Sequence, residues 1–373
     1  MNLTIIGPVY PYRGGIAHFT TLLAKKLQEQ GHHIQIISFR RQYPKLFYPG
    51  KSDTDFSEGR LKVKAEYTLN PFNPISWAKT LSNITKFYPD KVLIQWWTPF
   101  WALAFGFLSR RLRKIGFDVQ YIIHNALPHE IKKFDKRLSM FALQGSNKYI
   151  VMSENEKEVL LKMAISSHEI VYCPLPLFSV FPITDMEKPE ARKVFGLPLD
   201  KTMLLFFGII RPYKGLLNLV DALGILKAQG YRDLVLVISG EFWTNKKKYL
   251  KEIDDLSLHE QVKIFDKYIS DEETSILFKA VDIFVAPYKT GTQSATIKTA
   301  MYFGLPMVIT NCMADELSRA IPDYCLITDD NSPEKLAEAI RLMVERLSIL
   351  ERPMNSVVDE SWKKMVSILV SNR

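Results

Sequence analysis

The chain has three cysteines in 373 residues, Cys173, Cys312 and Cys325. They stand far apart, match no metal-ligand spacing and cannot all pair. Neither a disulfide framework nor a zinc site is expected, and a reducing compartment, the cytoplasm, is. Long apolar runs are missing as well. The longest candidate, Phe100 to Leu108, is half of the ~20 residues a membrane span requires. No signal peptide is expected, because Met1-Asn2 leads straight into the strand-like Leu3-Thr4-Ile5-Ile6. The first glycine-rich loop lacks G-x-G-x-x-G, which argues against a nicotinamide-type dinucleotide site. Clustered carboxylates are missing: no Asp or Glu lies between Asp282 and Asp315, and no metal-binding Asp-x-Asp is expected anywhere in the chain. A divalent-metal site there has no ligands to work with, and no metal is expected.

What is present is alternation. A chain of this length exceeds one ordinary core, so two domains are expected. Its positive charge is uneven. Residues 1–180 hold 24 Lys and Arg against 13 Asp and Glu, whereas residues 181–373 hold 25 against 27. The basic excess therefore belongs to the first half and fits an anionic partner there, a substrate or an anionic membrane surface.

Strand Leu3–Gly7, the loop Pro8-Val9-Tyr10-Pro11-Tyr12-Arg13-Gly14-Gly15, a helix from Ile16 to Gln30 and strand His33–Phe39 form a βαβ unit, hence a parallel sheet. Gly14-Gly15 lets a ligand approach backbone N–H groups. Residues 40–75 read as a long irregular excursion. Strand Val92–Trp96 ends in Gln95-Trp96-Trp97, whose indoles suit a core or a sugar-stacking platform. Pro99 to Ile115 is apolar and then basic. It fits a membrane-surface helix, or equally a core helix whose last turn is solvated and favoured by the helix dipole. His124 follows strand Val119–Ile123, and a lone histidine there is either a satisfied structural group or a ligand contact. Ser153-Glu154-Asn155-Glu156 opens a helix with a capping box. Pro182, Pro189 and Pro198 punctuate a polar stretch, so the link between halves is expected near 174–200.

The second half repeats the alternation, with strands at 203–207, 234–239, 262–265, 283–286 and 306–310 and helices between them. Met203–Phe207 is an unbroken apolar run, the pattern of a strand buried on both faces. It turns at Gly208 and presents Arg211 and Lys214 before a helix from Leu216. Two bases at the end of a strand and beside a helix can hold an anion; alone, they could equally be solvated loop charges. Gly291-Thr292-Gln293-Ser294 offers N–H groups and hydroxyls at a helix start, an arrangement that suits phosphate.

With both halves in view, the chain resembles the retaining, nucleotide-sugar-dependent glycosyltransferases of the GT-B fold, glycosyltransferase family four, group 1. The resemblance spans nearly the full length. It rests on Gly14-Gly15, His124, Phe207-Gly208…Arg211-Pro212-Tyr213-Lys214-Gly215, Gly240-Glu241, Tyr268-Ile269-Ser270-Asp271-Glu272-Glu273 and Ala300-Met301-Tyr302-Phe303-Gly304-Leu305-Pro306. Gln95-Trp96-Trp97 and Gln293-Ser294 are similar to segments of bacterial surface-polysaccharide transferases.

The resemblance implies an α/β fold of two facing Rossmann-like domains with an interdomain cleft and a C-terminal crossover helix. Residues 1–180, with a crossover helix at 355–373, would bind the acceptor, and residues 181–354 the nucleotide sugar. Arg211, Lys214 and His124 would act on the reacting groups. Gly14, Gly15, Gly208, Glu241, Tyr268, Ile269, Gln293, Ser294, Ala295 and Thr296 would surround the donor. Arg13, His18, His129 and Glu130 would lie toward the acceptor, a glycan or lipid-linked glycan. No cofactor is implied, the nucleotide sugar being a substrate, and no nucleic-acid motif is present. One departure stands out. Two Glu eight positions apart are usual in the family, and Gly291 and Thr299 occupy those places. Lys289 and Lys298 could stand in for the missing acidic contacts. A non-catalytic sugar-nucleotide-binding partner in a glycan-assembly complex is the alternative this departure raises.

Overall fold

The computed structural model describes residues 1–43, 50, 52–58, 61–128, 133–350 and 357–371. They form two compact units, one of Met1–Pro176 with Asp359–Arg373, the other of Leu177–Val358.

In the first unit the elements run β1 Asn2–Ile6, α1 Gly15–Glu29, β2 His33–Phe39, β3 Glu66–Leu69, α2 Pro74–Phe87, β4 Lys91–Trp96, α3 Ala102–Ile115 and β5 Asp118–Ile123. Then come α4 Asp135–Leu143, β6 Lys148–Val151, α5 Glu154–Lys162 and β7 Ile170–Tyr172. The sheet is parallel throughout, in the order β3-β2-β1-β4-β5-β6-β7. Its direction of growth reverses between β1 and β4, and in open sheets the loops leaving the strands at such a point form the ligand crevice.

Residues 40–75 are not wholly irregular. Glu66–Leu69 adds a parallel edge strand, and Tyr12 pairs with Thr54 in an isolated bridge. Trp96 and Trp97 belong to the core: Trp96 Nε1 donates to Ala126 O at 3.2 Å, Trp97 Nε1 to the Tyr43 hydroxyl at 2.6 Å. The core alternative also holds for the apolar part of α3, whose Phe105, Leu108 and Leu112 are buried while Arg111, Arg113 and Lys114 are exposed.

In the second unit the elements are α6 Lys188–Val194, β8 Thr202–Phe207, α7 Leu216–Ala228, β9 Leu234–Ser239, α8 Lys246–Asp255, β10 Val262–Phe265 and α9 Asp271–Ala280. They continue with β11 Ile283–Ala286, α10 Ala295–Tyr302, β12 Met307–Thr310, α11 Glu316–Arg319, β13 Cys325–Thr328 and α12 Pro333–Arg346. The sheet order is β10-β9-β8-β11-β12-β13, again all parallel, with its reversal between β8 and β11.

The stretch expected to link the halves is structured. Inside it α6 packs on α9, and Arg192 donates to Ala280 O at 3.0 Å and to Asp282 Oδ2 at 2.7 Å. Asp282 also accepts Lys188 Nζ at 2.6 Å and Met203 N at 2.7 Å, so this buried ion pair has its remaining oxygens satisfied. The boundary falls earlier than 180, at Pro176–Leu177.

After the second unit the chain returns to the first as α13, Val357–Val370. Trp362 is buried, its ring 5.6 Å from Phe19. Lys91 Nζ donates to Leu369 O at 3.0 Å and to Ser371 O at 2.5 Å, satisfying carbonyls that a helix end leaves open.

Candidate active site

In the second unit, loops leave β8 and β11 on either side of the reversal. The first runs from Gly208 to Gly215. A methyl group on Gly208 would lie 3.1 Å from Thr296 Cγ2 and 3.2 Å from Lys214 Nζ, so bare backbone is what lets both approach. Pro212 opens a short 3₁₀ turn to Lys214, and Arg211 before it is extended, as a residue preceding proline prefers. Ile210 N donates to Glu241 O at 2.9 Å, which ties this loop to the one after β9. At Gly215, φ is +72° and a methyl would stand 1.8 Å from Pro287 O. The two loops touch there.

The second loop, 287–294, carries Tyr288. Its ring centre lies 5.4 Å from Lys214 Nζ. Its phenol oxygen is 3.4 Å from Ser294 Oγ and 3.2 Å from Thr296 Oγ1, and those two hydroxyls are 2.9 Å apart. Ser294 also caps α10, accepting from Ile297 N at 3.4 Å. Burial pushes the Tyr288 phenol up, but the Lys214 ammonium and the Ser294 and Thr296 hydroxyls more than offset it and hold the phenol below its ordinary value.

Lys214 is 8% exposed, and among the described residues no carboxylate pairs with it. Arg211 lies over the Trp243 ring at 5.0 Å, also without an acidic partner among the described residues. A buried ammonium without a counter-charge is costly in an empty protein and productive when a ligand brings the anion. Thr292 Oγ1, just ahead of α10, is buried with no hydrogen-bond partner among the described residues.

The other donor-side candidates divide. Gln293, Ser294, Ala295 and Thr296 gather at the start of α10, and Glu241 is buried, accepting Trp243 Nε1 at 3.2 Å. Tyr268 is half-buried. Ile269 turns into the apolar core of its own unit, so its side chain is a packing residue. Tyr288 and Trp243 were not legible from motif matching. A positional signal for Tyr288 does exist: it follows β11 as Gly208 follows β8, and those two strands flank the reversal.

In the first unit, Gly14 is the N-cap of α1, and Gly15 is that helix's first residue. Arg13 N donates to Asp53 O at 3.0 Å, and His18 Nε2 lies 3.5 Å from Asp55 Oδ2. Contrary to the expectation that the chain has no Asp-x-Asp, it holds one in this unit, Asp53-Thr54-Asp55. Asp55 accepts from Ser57 N at 2.8 Å, so Asp53-Thr54-Asp55 serves to fix the 52–57 loop against the glycine loop. His129 and Glu130 lie outside the described residues.

His124 follows β5, and its backbone N donates to Trp96 O at 2.8 Å. Its Nε2 is 2.6 Å from Gln95 Oε1, and Phe19 stacks edge-on at 5.0 Å. Burial pushes the imidazole down to about 3, so near neutral pH it is an uncharged hydrogen-bonding group. An unfolded histidine titrates near 6.5, so between the two values the unfolded state takes up the extra proton. The stabilisation is complete above about pH 6.5 and is lost as pH falls toward 3, at up to about 1.4 kcal/mol per unit. Urea denaturation of wild type and His124→Gln at pH 7, 6 and 5 is expected to give the wild type the steeper loss. Equal slopes would contradict a neutral buried imidazole.

A family model described as Glycosyl transferases group 1 matches residues 187–354, and a second, Glycosyltransferase Family 4, matches residues 13–176. Each model coincides with one of the two sheets. The chain belongs to the family 4, group 1 glycosyltransferases. A D-inositol 3-phosphate glycosyltransferase of Corynebacterium urealyticum is 24% identical over 199 residues, 51% of this chain and 46% of that protein. The chain thus matches less than half the length of the curated relatives. Among solved structures, a glycosyltransferase from Rickettsia africae superposes with a TM-score of 0.69 at 18% identity, covering 98% of this chain and 93% of that one. Anabaena HepE, in complex with UDP, gives 0.68 at 15%, covering 99% and 95%. At these identities the likeness establishes the GT-B fold.

At the two places where the family resemblance leads one to expect Glu, other side chains of this chain occupy the space. A methyl on Gly291 would stand 2.2 Å from Met313 Sδ, so the thioether fills the space a side chain would use. Thr299 is buried and donates back to Ala295 O at 2.9 Å inside α10. Lys298 does not replace them. It is buried and paired with Asp315 at 2.5 Å. Lys289, by contrast, is exposed beside the Lys214 loop, its backbone N donating to Tyr213 O at 2.8 Å.

Proposed function

We propose that this protein transfers a sugar from a nucleoside-diphosphate sugar to a glycan or lipid-linked acceptor, with retention at the sugar carbon and without a metal ion. The observation that carries this reading is the buried Lys214 ammonium, which has no acidic partner among the described residues. It faces the Tyr288 ring, whose phenol reaches the hydroxyls of Ser294 and Thr296 at the start of α10. When the bond between the sugar carbon and the diphosphate breaks, charge grows on the departing phosphate. Stabilising that charge is the main electrostatic task. Lys214 supplies a point charge, Arg211 a guanidinium able to bind two oxygens, and α10 its first N–H groups. The acceptor oxygen bonds to the sugar carbon, and its proton passes to the departing phosphate. His124, uncharged, hydrogen-bonds and orients the sugar and takes no proton.

HepE holds UDP, which makes UDP-sugars the first donors to try. In a thermal-shift panel of UDP-, GDP-, ADP- and TDP-sugars, one nucleotide at 100 times its dissociation constant is expected to stabilise the protein by about 2.7 kcal/mol. Transfer with that donor is expected to persist in chelator; strict metal dependence would overturn the cation-only reading. The closed Glu positions favour a second reading, a non-catalytic nucleotide-sugar-binding partner. Binding by calorimetry with neither transfer nor donor hydrolysis across a broad acceptor panel would select it. The basic first unit, with a cavity of about 460 Å³ lined by Lys133, Lys136, Arg137, Met140, Phe141 and Gln144, supports peripheral association with an anionic membrane. Failure to co-sediment with phosphatidylglycerol vesicles at low salt would remove that part.

A further inference from the structure

We propose that Tyr288 is a positioning residue for Lys214, and that its phenol joins the ammonium to the hydroxyls at the start of α10 as one diphosphate cradle. The inference rests on the reading that Lys214 meets the donor phosphates. Lys214 stands on a short turn and has a long, flexible stem, and no carboxylate among the described residues holds it in place. A lysine left so would spread its charge over many rotamers. What holds it is Tyr288. The ring faces the ammonium at 5.4 Å, and the phenol oxygen continues to Thr296 Oγ1 at 3.2 Å and Ser294 Oγ at 3.4 Å.

Tyr288 is itself anchored from behind. Its carbonyl accepts Thr310 Oγ1 at 2.7 Å, from the end of β12, and Cys312 Sγ at 3.3 Å, from the turn that follows. Tyr213, next to Lys214, meets the Tyr288 ring edge-on at 6.1 Å. The phenol therefore sits where the loops from the two strands flanking the sheet's reversal come together. It is one of two phenols, with Tyr302, in a region, 283–314, that has no carboxylate. Where no carboxylate pairs with the lysine, a phenol can order the cation without neutralising it, so the ammonium keeps its full charge for the incoming diphosphate. The lowered Tyr288 phenol agrees with this contact.

Tyr288→Phe keeps the ring and its face toward Lys214 and deletes the oxygen alone. Calorimetry with UDP, GDP, ADP and TDP is expected to give about tenfold weaker binding of the preferred diphosphate, with a melting temperature within about 2 °C of wild type. Alkaline titration followed at 295 nm supplies a signature that a merely structural tyrosine would not give. The first tyrosine to ionise in wild type is expected to vanish in Tyr288→Phe and to ionise later in Lys214→Met. If Lys214→Met weakens diphosphate binding and Tyr288→Phe does not, or if the early tyrosine is unmoved in Lys214→Met, the inference falls alone. If wild type binds none of the four diphosphates, or Lys214→Met binds them as wild type does, the donor-site reading falls with it.

Discussion

Lys214→Ala is expected to leave the protein folded and to lower the rate of sugar transfer by about 10²–10³, and Arg211→Ala to cost a similar factor. The reason lies in what surrounds these side chains. Removing a buried cation whose partner is a protein carboxylate would strand that carboxylate and threaten the fold. Neither residue has such a partner among the described residues, so removal leaves no buried charge behind. The loss then falls on the transition state, where phosphate charge grows, and kcat is expected to fall more than KM rises. Lys214→Arg is expected to recover little, because the space beside Gly208 admits a point charge and not a planar fork. Melting temperature and kcat measured together check this. Full activity in folded Arg211→Ala and Lys214→Ala proteins would refute the mechanism.

Gly215→Ala is expected to destabilise the second unit by about 3 kcal/mol or more and to abolish nucleotide binding together with it. At a φ of +72° an L side chain carries a backbone penalty of about 1–2 kcal/mol. The clash adds to this, since the new methyl would meet Pro287 O at 1.8 Å, and a β-strand's end cannot swing away as a flexible side chain would. To relieve it the Lys214 loop must part from the Tyr288 loop, which separates the ammonium from the phenol. Urea denaturation with and without UDP reads both effects: a lower midpoint, and no further rise on adding the nucleotide. A variant with wild-type stability that still binds would mean the two loops do not depend on their contact.

Much of this fold was legible because its central strands are short, unbroken apolar runs, the pattern of strands covered on both faces. Helices α2 and α4 were not read, and the strands that escaped lie at the edges. Glu66–Leu69 and Cys325–Thr328 are four-residue edge strands with polar ends, too brief for periodicity to separate from loop. Pro189 reads as a break in the sequence, yet it sits in the first turn of α6, where a missing N–H costs nothing. At the site, Arg211 and Lys214 were legible because a strand, a proline and a glycine bracket them. Tyr288 was not, since its meaning depends on contact with a residue far away in the chain. Lys298 misled for the same reason: its partner Asp315 stands where acidic residues resume, and only folding brings the two together.

The latch between Lys91 and the end of α13 has a consequence for the order of events at the ribosome. Residues 1–176 emerge before residues 177–358, but the segment that packs on Phe19 and receives the Lys91 ammonium is made after both. The second unit is contiguous, Leu177–Val358, and can close as soon as it is synthesised. Of the two units, the one begun earlier is therefore the one finished later. Until then Phe19 lacks its Trp362 neighbour and Lys91 lacks the two carbonyls it binds in the finished protein.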